Sequence, residues 1–148
     1  MTITIRRLEP NDRDAWEPLF QGYLKFYESS LPDDVVAETW SRILSTDAEF
    51  HVGLCAINPD NKLIGLAHIL FHRSTWSKSY YCYLEDLFVD PDRRAKGVGR
   101  QLIEAVYKEA DARNCTRTYW ATQEFNYRAR GLYDKVATKS PFLQYRRT

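Results

Sequence analysis

Cysteine is scarce in this chain and placed where neither of its patterned uses is open to it. Cys55, Cys82 and Cys115 are all there is in 148 residues. An odd number of widely spaced cysteines without Cys-x-x-Cys spacing excludes a zinc knuckle and a disulfide framework. Histidine is equally thin. His51 stands alone, and His68 and His72 fall in a segment that reads as a strand, where four residues span roughly 13 Å and prevent shared ligation. No metal is expected. Net charge is missing too: 21 basic and 20 acidic residues leave +1, which excludes the strongly basic balance of a general nucleic-acid binder. No apolar run approaches membrane-spanning length and the first nine residues carry no hydrophobic leader, so the expectation is a cytoplasmic protein with no membrane partner. Internal repeats, low-complexity linkers and a second composition zone are also absent. With 44% hydrophobic content, residues 1–148 read as a single domain able to bury a substantial core.

What the chain does have is concentrated between residues 84 and 102. There an apolar strand, Leu84-Glu85-Asp86-Leu87-Phe88-Val89, runs through Asp90-Pro91-Asp92 into a basic, glycine-punctuated loop and then into an amphipathic helix. That layout is an anion site. Gly97 and Gly99 let the backbone turn tightly and bring its N–H groups close to a ligand, and the following helix aims its unpaired amides at the same point. Arg93, Arg94, Lys96 and Arg100 add cationic heads suited to a phosphate or pyrophosphate. Two familiar phosphate loops do not fit. A nucleotide-triphosphate loop needs Lys-Ser/Thr after its last glycine, where this chain has Arg100-Gln101, and a dinucleotide fingerprint needs a third glycine where Leu102 stands.

Periodicity and punctuation give the elements around it. Thr2 to Leu8 alternates as a strand, and Pro10-Asn11-Asp12 supplies turn chemistry before a helix carrying Trp16, Leu19, Phe20, Tyr23, Leu24 and Tyr27. A shorter helix spans about Asp33 to Leu44. Two strands, about Phe50 to Ile57 and Lys62 to Phe71, flank the turn Asn58-Pro59-Asp60-Asn61, and Tyr80 to Val89 is a third. A helix from about Val98 to Arg113 stops at Asn114. The remainder reads as a strand over Thr116 to Ala121, a helix over Phe125 to Val136 and a last strand over Phe142 to Arg146. The order is β-α-α-β-β-β-α-β-α-β.

A second motif sharpens the reading of the loop. Arg94-x-x-Gly97-x-Gly99 is followed, after a further helix and strand, by Asn126-x-x-Ala129-x-x-Leu132-Tyr133. On these two motifs the chain resembles the GNAT N-acetyltransferases. Tyr83-Leu84-Glu85-Asp86-Leu87-Phe88-Val89 is similar to the diamine acetyltransferases. His72-Arg73-Ser74-Thr75-Trp76, with Tyr119-Trp120, Thr122, Glu124 and Asn126, is similar to the fungal-type histone and polyamine branch. The likeness runs from about residue 62 to the C-terminus; before that only the helix pattern matches. One departure is Ala137, where family members usually carry glycine. The implied fold is α/β, a twisted mixed sheet with helices on both faces and a splayed strand pair holding acetyl-coenzyme A. The implied cofactor contacts are Leu87, Phe88, Val89, Arg94, Ala95, Lys96, Gly97, Val98, Gly99, Arg100, Asn126, Ala129 and Tyr133.

The implied chemistry is transfer of acetyl from a thioester to a primary amine. An alkyl amine titrates near 10.4, so only about one molecule in a thousand is nucleophilic at neutral pH and a base is required. The resemblance implies Glu85, acting directly or through water. Strand alternation puts Glu85 on the face of Leu87 and Val89 and Asp86 on the opposite one, so Asp86 is left out of the role. A backbone N–H near Val89 is implied as the oxyanion donor, and Tyr133 as the group that protonates the departing sulfur. Offsets of three and four put Asn126, Ala129 and Tyr133 on one helix face. Tyr27, Glu28 and Glu85 form the expected acceptor rim. A small amine (a polyamine, lysine-like compound or amino acid) is ranked above a protein or histone lysine, and a catalytically silent acetyl-coenzyme A sensor is the reading from outside enzymology. No nucleic-acid partner is expected, and the family's habit of pairing C-terminal strands implies a homodimer through Leu143 to Arg147.

Overall fold

The computed structural model describes residues 2–47, 51–93 and 96–148. Along them run β1 (Thr4–Arg7), α1 (Arg13–Phe26), α2 (Asp33–Ile43), β2 (Val52–Ile57), β3 (Leu63–His72), β4 (Tyr81–Val89), α3 (Val98–Ala112), β5 (Arg117–Tyr119) and α4 (Tyr127–Val136). The strands make one sheet in the order β1-β2-β3-β4-β5, antiparallel throughout except for the parallel pair β4 and β5. This is the mixed sheet expected from the sequence.

Strand alternation sorts the buried side chains onto two faces. Ala67, Ile69, Cys82 and Leu84 turn toward α3, where Val98, Leu102, Ile103, Val106 and Ala110 close one core. Leu66 and Cys55 turn the other way, against Trp16, Leu19, Phe20 and Leu24 of α1 and Val36 and Trp40 of α2. Helices therefore cover both faces. Each fully buried leucine or isoleucine contributes about 1.5–3 kcal/mol relative to exposure, so these two layers hold α1 and α3 in place while the loops between them are free to specialise.

Helices α1 and α3 end in the same way. In α3, the N–H of Asn114 bonds Asp111 O (3.0 Å) and that of Cys115 bonds Ala110 O (3.0 Å), with Asn114 left-handed at φ 56. In α1, the N–H groups of Glu28 and Ser29 bond Lys25 O and Leu24 O, each at 2.9 Å, and Glu28 takes φ 54. Asparagine tolerates that conformation; a glutamate there costs of the order of 1 kcal/mol. Ala137, the position where glycine was anticipated, is extended (φ −152, ψ −179) and so places no demand on glycine.

One expected element is absent. Phe142 to Arg146 alternates like a strand, but the sheet ends at the three residues of β5 and offers this segment no neighbour. Phe142, Leu143 and Tyr145 are 89%, 83% and 92% exposed. Other differences are of boundaries: β5 is shorter than Thr116 to Ala121, α4 begins two residues after Phe125, and the strand expected from Phe50 starts at Val52, with Phe50 itself outside the described residues.

A single irregularity in β4 shapes everything that follows. Ala67 pairs with Leu87 and His68 with Asp86, yet Ile69 pairs with Leu84, so Glu85 is a surplus residue opposite nothing on β3. Such a bulge breaks the two-residue alternation and bends the strand. Leu87 and Val89 lie against the α3 core, whereas Asp86 faces α1.

Candidate active site

The anion end is built from backbone. Gly97 precedes α3 with φ 82, a left-handed conformation that an L side chain rarely adopts, and a Cβ there would point into open space. No side chain caps this helix and no acidic residue occupies its first turn, so the amides of Val98, Gly99 and Arg100 remain available to an anion. Gly99 lies against α4: a Cβ on it would sit 3.4 Å from Leu132 Cδ2. The two motifs are thus in contact. Lys96 and Arg100 are exposed beside the amides, Arg100 reaching Glu104 at 3.2 Å, while Arg94 and Ala95 lie outside the described residues.

Above that loop the sheet opens. β4 pairs with β5 only from Tyr81 to Tyr83, opposite Arg117 to Tyr119, and then continues alone to Val89. The N–H of Asp90 bonds Ile64 O at 2.8 Å. Alternation then directs the main-chain groups of Leu87 and Val89 away from β3, into the gap where β5 has ended. An extended ligand arm can pair there as an added strand. Phe88 does not join this edge. Its main chain faces β3, and its ring packs on α1, 6.1 Å from that of Tyr23.

The opposite face of the gap is acidic and aromatic. Glu85 and Asp86, expected on different faces, are brought together by the bulge, and Asp86 accepts from the Nδ1 of buried His68 at 2.8 Å. Burial first and the charge of Asp86 second hold the Glu85 carboxyl above its ordinary value, with a hydrogen bond from Tyr83 partly offsetting them. Tyr23 is raised still more, by burial and then by the charge and hydrogen bonding of Asp86. Tyr27 is raised by burial and by Asp86, and it in turn acts on Tyr133. Tyr27, Asp86, Glu85 and Tyr133 therefore share one neighbourhood. Glu28 does not enter it by any hydrogen bond or ion pair among the described residues; it is exposed, at the left-handed end of α1.

On α4 the expected common face is only partly realised. The helix begins at Tyr127, so Asn126 is its cap, and its side-chain oxygen accepts from the Ala129 N–H at 3.3 Å. Ala129 and Tyr133 are half-buried. Tyr133 is steadied by Trp120, whose ring lies 5.4 Å away, and the hydroxyl of Tyr107 on α3 donates to Val136 O at 2.8 Å. Burial pushes the Tyr133 phenol up to about 12. It stays protonated across the working pH range.

The remaining candidates resolve simply. His68 and His72 serve different partners, the latter meeting the Tyr119 hydroxyl at 2.7 Å. Burial lifts the Cys55 and Cys82 thiols to about 11 and about 12, which leaves little thiolate for an acyl carrier. Two surface depressions of about 310 and 440 Å³ lie by β1, the first between it and α3 and the second beside the β2–β3 turn, away from the gap.

Comparison with known proteins decides what this geometry belongs to. The acetyltransferase (GNAT) family matches residues 16–137. The D-amino-acid N-acetyltransferase of Saccharomyces cerevisiae is 36% identical over 98% of this chain and 90% of its own length. The chain belongs to the GNAT acetyltransferase family. The thialysine N-ε-acetyltransferase of Bos taurus is 35% identical over 52% of the chain and 45% of that enzyme. Among solved structures, the aminoglycoside acetyltransferase AAC(6')-Iy, in complex with a bisubstrate analogue of coenzyme A, superposes with a TM-score of 0.84 at 22% identity, covering 100% of this chain and 99% of its own. The ribosomal-protein-alanine N-acetyltransferase of Brucella melitensis gives 0.77 at 22%, covering 99% of each. These two show the fold. This GNAT protein is an acetyl-CoA-dependent N-acetyltransferase. Its uncapped α3 amides and left-handed Gly97 fit the diphosphate of that cofactor, and its open β4 edge fits the pantetheine arm. No helix among the described residues is long and apolar enough to cross a membrane.

Sequence reasoning missed Asp86, His68, Tyr23 and Trp16 as parts of the cluster around Glu85. Only the adjacency of Asp86 to Glu85 pointed that way, because a bulge leaves no mark in the pattern of apolar residues.

Proposed function

We propose that this acetyltransferase acts on the primary amine of a small molecule, of the amino-acid, lysine-like or polyamine kind. One observation carries the reading: the bulge in β4 sets Glu85 and Asp86 side by side under the tyrosines of α1, at the edge where β4 stands alone. Paired carboxylates with aromatic walls suit a compact cationic amine. Similarity over nearly the whole chain to a D-amino-acid N-acetyltransferase supports it.

Acetyl-CoA supplies the acyl group activated as a thioester. The amides of Val98 to Arg100, with Lys96, hold its diphosphate, and the main chain of Leu87 and Val89 aligns its arm, the Val89 N–H serving as donor to the acyl oxygen. Ala129, being small, leaves room beside that arm. Glu85 removes the proton that keeps the amine from attacking. Its raised carboxyl is ionised, and so competent, only above that raised value. Tyr133 faces the departing sulfur as a hydrogen-bond donor. Full proton transfer from a phenol at about 12 to a thiolate whose thiol titrates at roughly 8.5 is uphill by about 5 kcal/mol, so the O–H stabilises the charge without surrendering its proton.

The proposal extends to assembly and setting. The exposed apolar tail, Phe142, Leu143 and Tyr145, and the free edge of β5 support a homodimer in which the tail of one protomer pairs with its partner. Light scattering on the full chain and on a chain ending at residue 140 tests it, and equal masses overturn it. Three free thiols support a reducing, cytoplasmic setting.

The deciding experiment is an amine panel containing D- and L-amino acids, thialysine, polyamines and a lysine-bearing peptide, with thiol release and product mass as readouts. Acetylation of small amines is the expected result. Turnover of the peptide alone would move the reading to a protein acetyltransferase. Binding of acetyl-CoA without thiol release for any amine would leave a sensor.

A further inference from the structure

A buried chain of hydrogen bonds lies behind the acceptor carboxylates and has no role in the chemistry above. Trp16 on α1, fully buried, donates from Nε1 to His68 Nε2 at 2.9 Å, and His68 Nδ1 meets Asp86 Oδ2 at 2.8 Å. An indole N–H can only donate, so Nε2 must accept and carries no proton. The remaining proton is on Nδ1 and points at Asp86. The tautomer is thus fixed by geometry, and His68, 1% exposed, has no solvent route to a second proton that would not first break the bond from Trp16.

We propose that Trp16 and His68 are positioning residues for acetyl transfer: the Trp16 indole locks His68 as the neutral Nδ1–H tautomer, and that N–H aims the Asp86 carboxylate at the acceptor amine beside Glu85. The inference rests on the small-amine reading given above and goes beyond it by naming what orients the Asp86 carboxylate at the acceptor. A histidine free to gain a proton in this place would cancel the Asp86 charge and loosen the hold on a cationic amine. The lock prevents this. The groups that face His68 are Asp86 and Glu85 on β4, Tyr23 on α1 through its bond to Asp86, and His51 ahead of β2, with Arg42 of α2 beyond it. His51 is itself held below the ordinary imidazole range, chiefly by burial and in part by the Arg42 charge, so it brings no competing positive charge at neutral pH.

The tests use the full-length protein. With three histidines in the chain, long-range ¹H–¹⁵N spectra of the imidazoles can be assigned, and His68 is expected to carry its proton on Nδ1 and none on Nε2. A proton on Nε2, or a doubly protonated ring at neutral pH, overturns the proposal even if every variant misfolds. Kinetics supplies the second arm. Trp16→Phe frees Nε2, so the acceptor KM should climb about tenfold more than the parent's between pH 8 and pH 6, as the new imidazolium cancels an adjacent carboxylate, while the acetyl-CoA KM follows the parent's course. In Trp16→Phe with His68→Asn, the amide still donates to Asp86 but cannot gain charge, and the climb beyond the parent's should vanish. A Trp16→Phe profile that overlays the parent, or an excess climb that survives in the double variant, overturns the role of the pair alone. A parent that acetylates no amine overturns the acceptor reading and this role together.

Discussion

The two sides of the gap in β4 are built by opposite means. The cofactor side is local and made of backbone: one stretch of chain from Leu87 to Arg100 supplies the unpaired strand edge, the left-handed glycine and the helix amides. The acceptor side is made of side chains gathered from far apart, Trp16 and Tyr23 from α1, Tyr27 from just beyond its end, His68 from β3, Glu85 and Asp86 from β4 and Tyr133 from α4. A backbone site tolerates change in the side chains around it. A side-chain site is only as constant as each residue in it, which is how one fold carries a fixed cofactor and a variable acceptor.

The sharpest break of that contrast comes from Glu85→Gln. Removing the base should lower kcat/KM for the acceptor about 100-fold at pH 7, leave the acetyl-CoA KM in place, and make the rate climb with pH as the amine loses its proton unaided. A variant whose pH profile matches the parent's would assign the base elsewhere. The converse substitution is Gly97→Val, which puts a β-branched residue at φ 82. The strain, of the order of 1–2 kcal/mol, should raise the acetyl-CoA KM about twentyfold and spare the acceptor KM. If both constants rise together, the two sides are one unit and the contrast fails.

Tyr133→Phe probes the point where the sides meet. Loss of the O–H should lower kcat about tenfold with little change in either KM, the mark of an interaction made as charge develops on sulfur. With the parent phenol at about 12, its ionisation cannot produce a fall in rate below pH 10. A basic limb in the parent that disappears in Tyr133→Phe would require a phenol far more acidic than its burial allows.

The same contrast decides what was legible in the sequence. Gly97, Gly99 and the helix after them could be read because a contiguous loop writes its geometry in its own residues, and the order of elements along the chain followed from apolar periodicity. The acceptor side was half hidden. Glu85 was found by resemblance, but alternation assigned it to the face of Leu87 and Val89, away from Asp86, since a surplus residue in β4 is decided by how two strands pair and not by either strand alone. Trp16 and His68 looked like ordinary core residues; 52 positions separate them, and only the fold puts nitrogen against nitrogen. The tail strand was misread for a related reason: Phe142 to Arg146 has the pattern of a strand but no strand partner among the described residues.

The smallest effect tests how α1 is anchored to the sheet. Arg6 of β1 grips Asp12, just before α1, through two hydrogen bonds of 2.7 and 3.0 Å, and Asp12 also accepts from the Glu9 N–H at 2.7 Å. The Arg6 hydrogen bonds hold the Asp12 carboxyl below its ordinary value, against burial. Asp12→Asn keeps the shape and removes the charge, and should cost about 1–2 kcal/mol of stability, toward the lower end because the Arg6 side chain is 31% exposed and screened. A carboxyl lowered in the folded state contributes fully above its unfolded value of roughly 3.9 and loses that contribution as pH falls through the lower folded one. Urea titrations should therefore separate parent and variant at pH 7 and bring them together on the acid side. Because the pair positions the helix that carries Trp16, Tyr23 and Tyr27, any kinetic effect, of the order of threefold or less, must fall on the acceptor KM. A shift in the acetyl-CoA KM instead would mean that α1 supports the backbone-built side as well, and that the division drawn through the gap in β4 is in the wrong place.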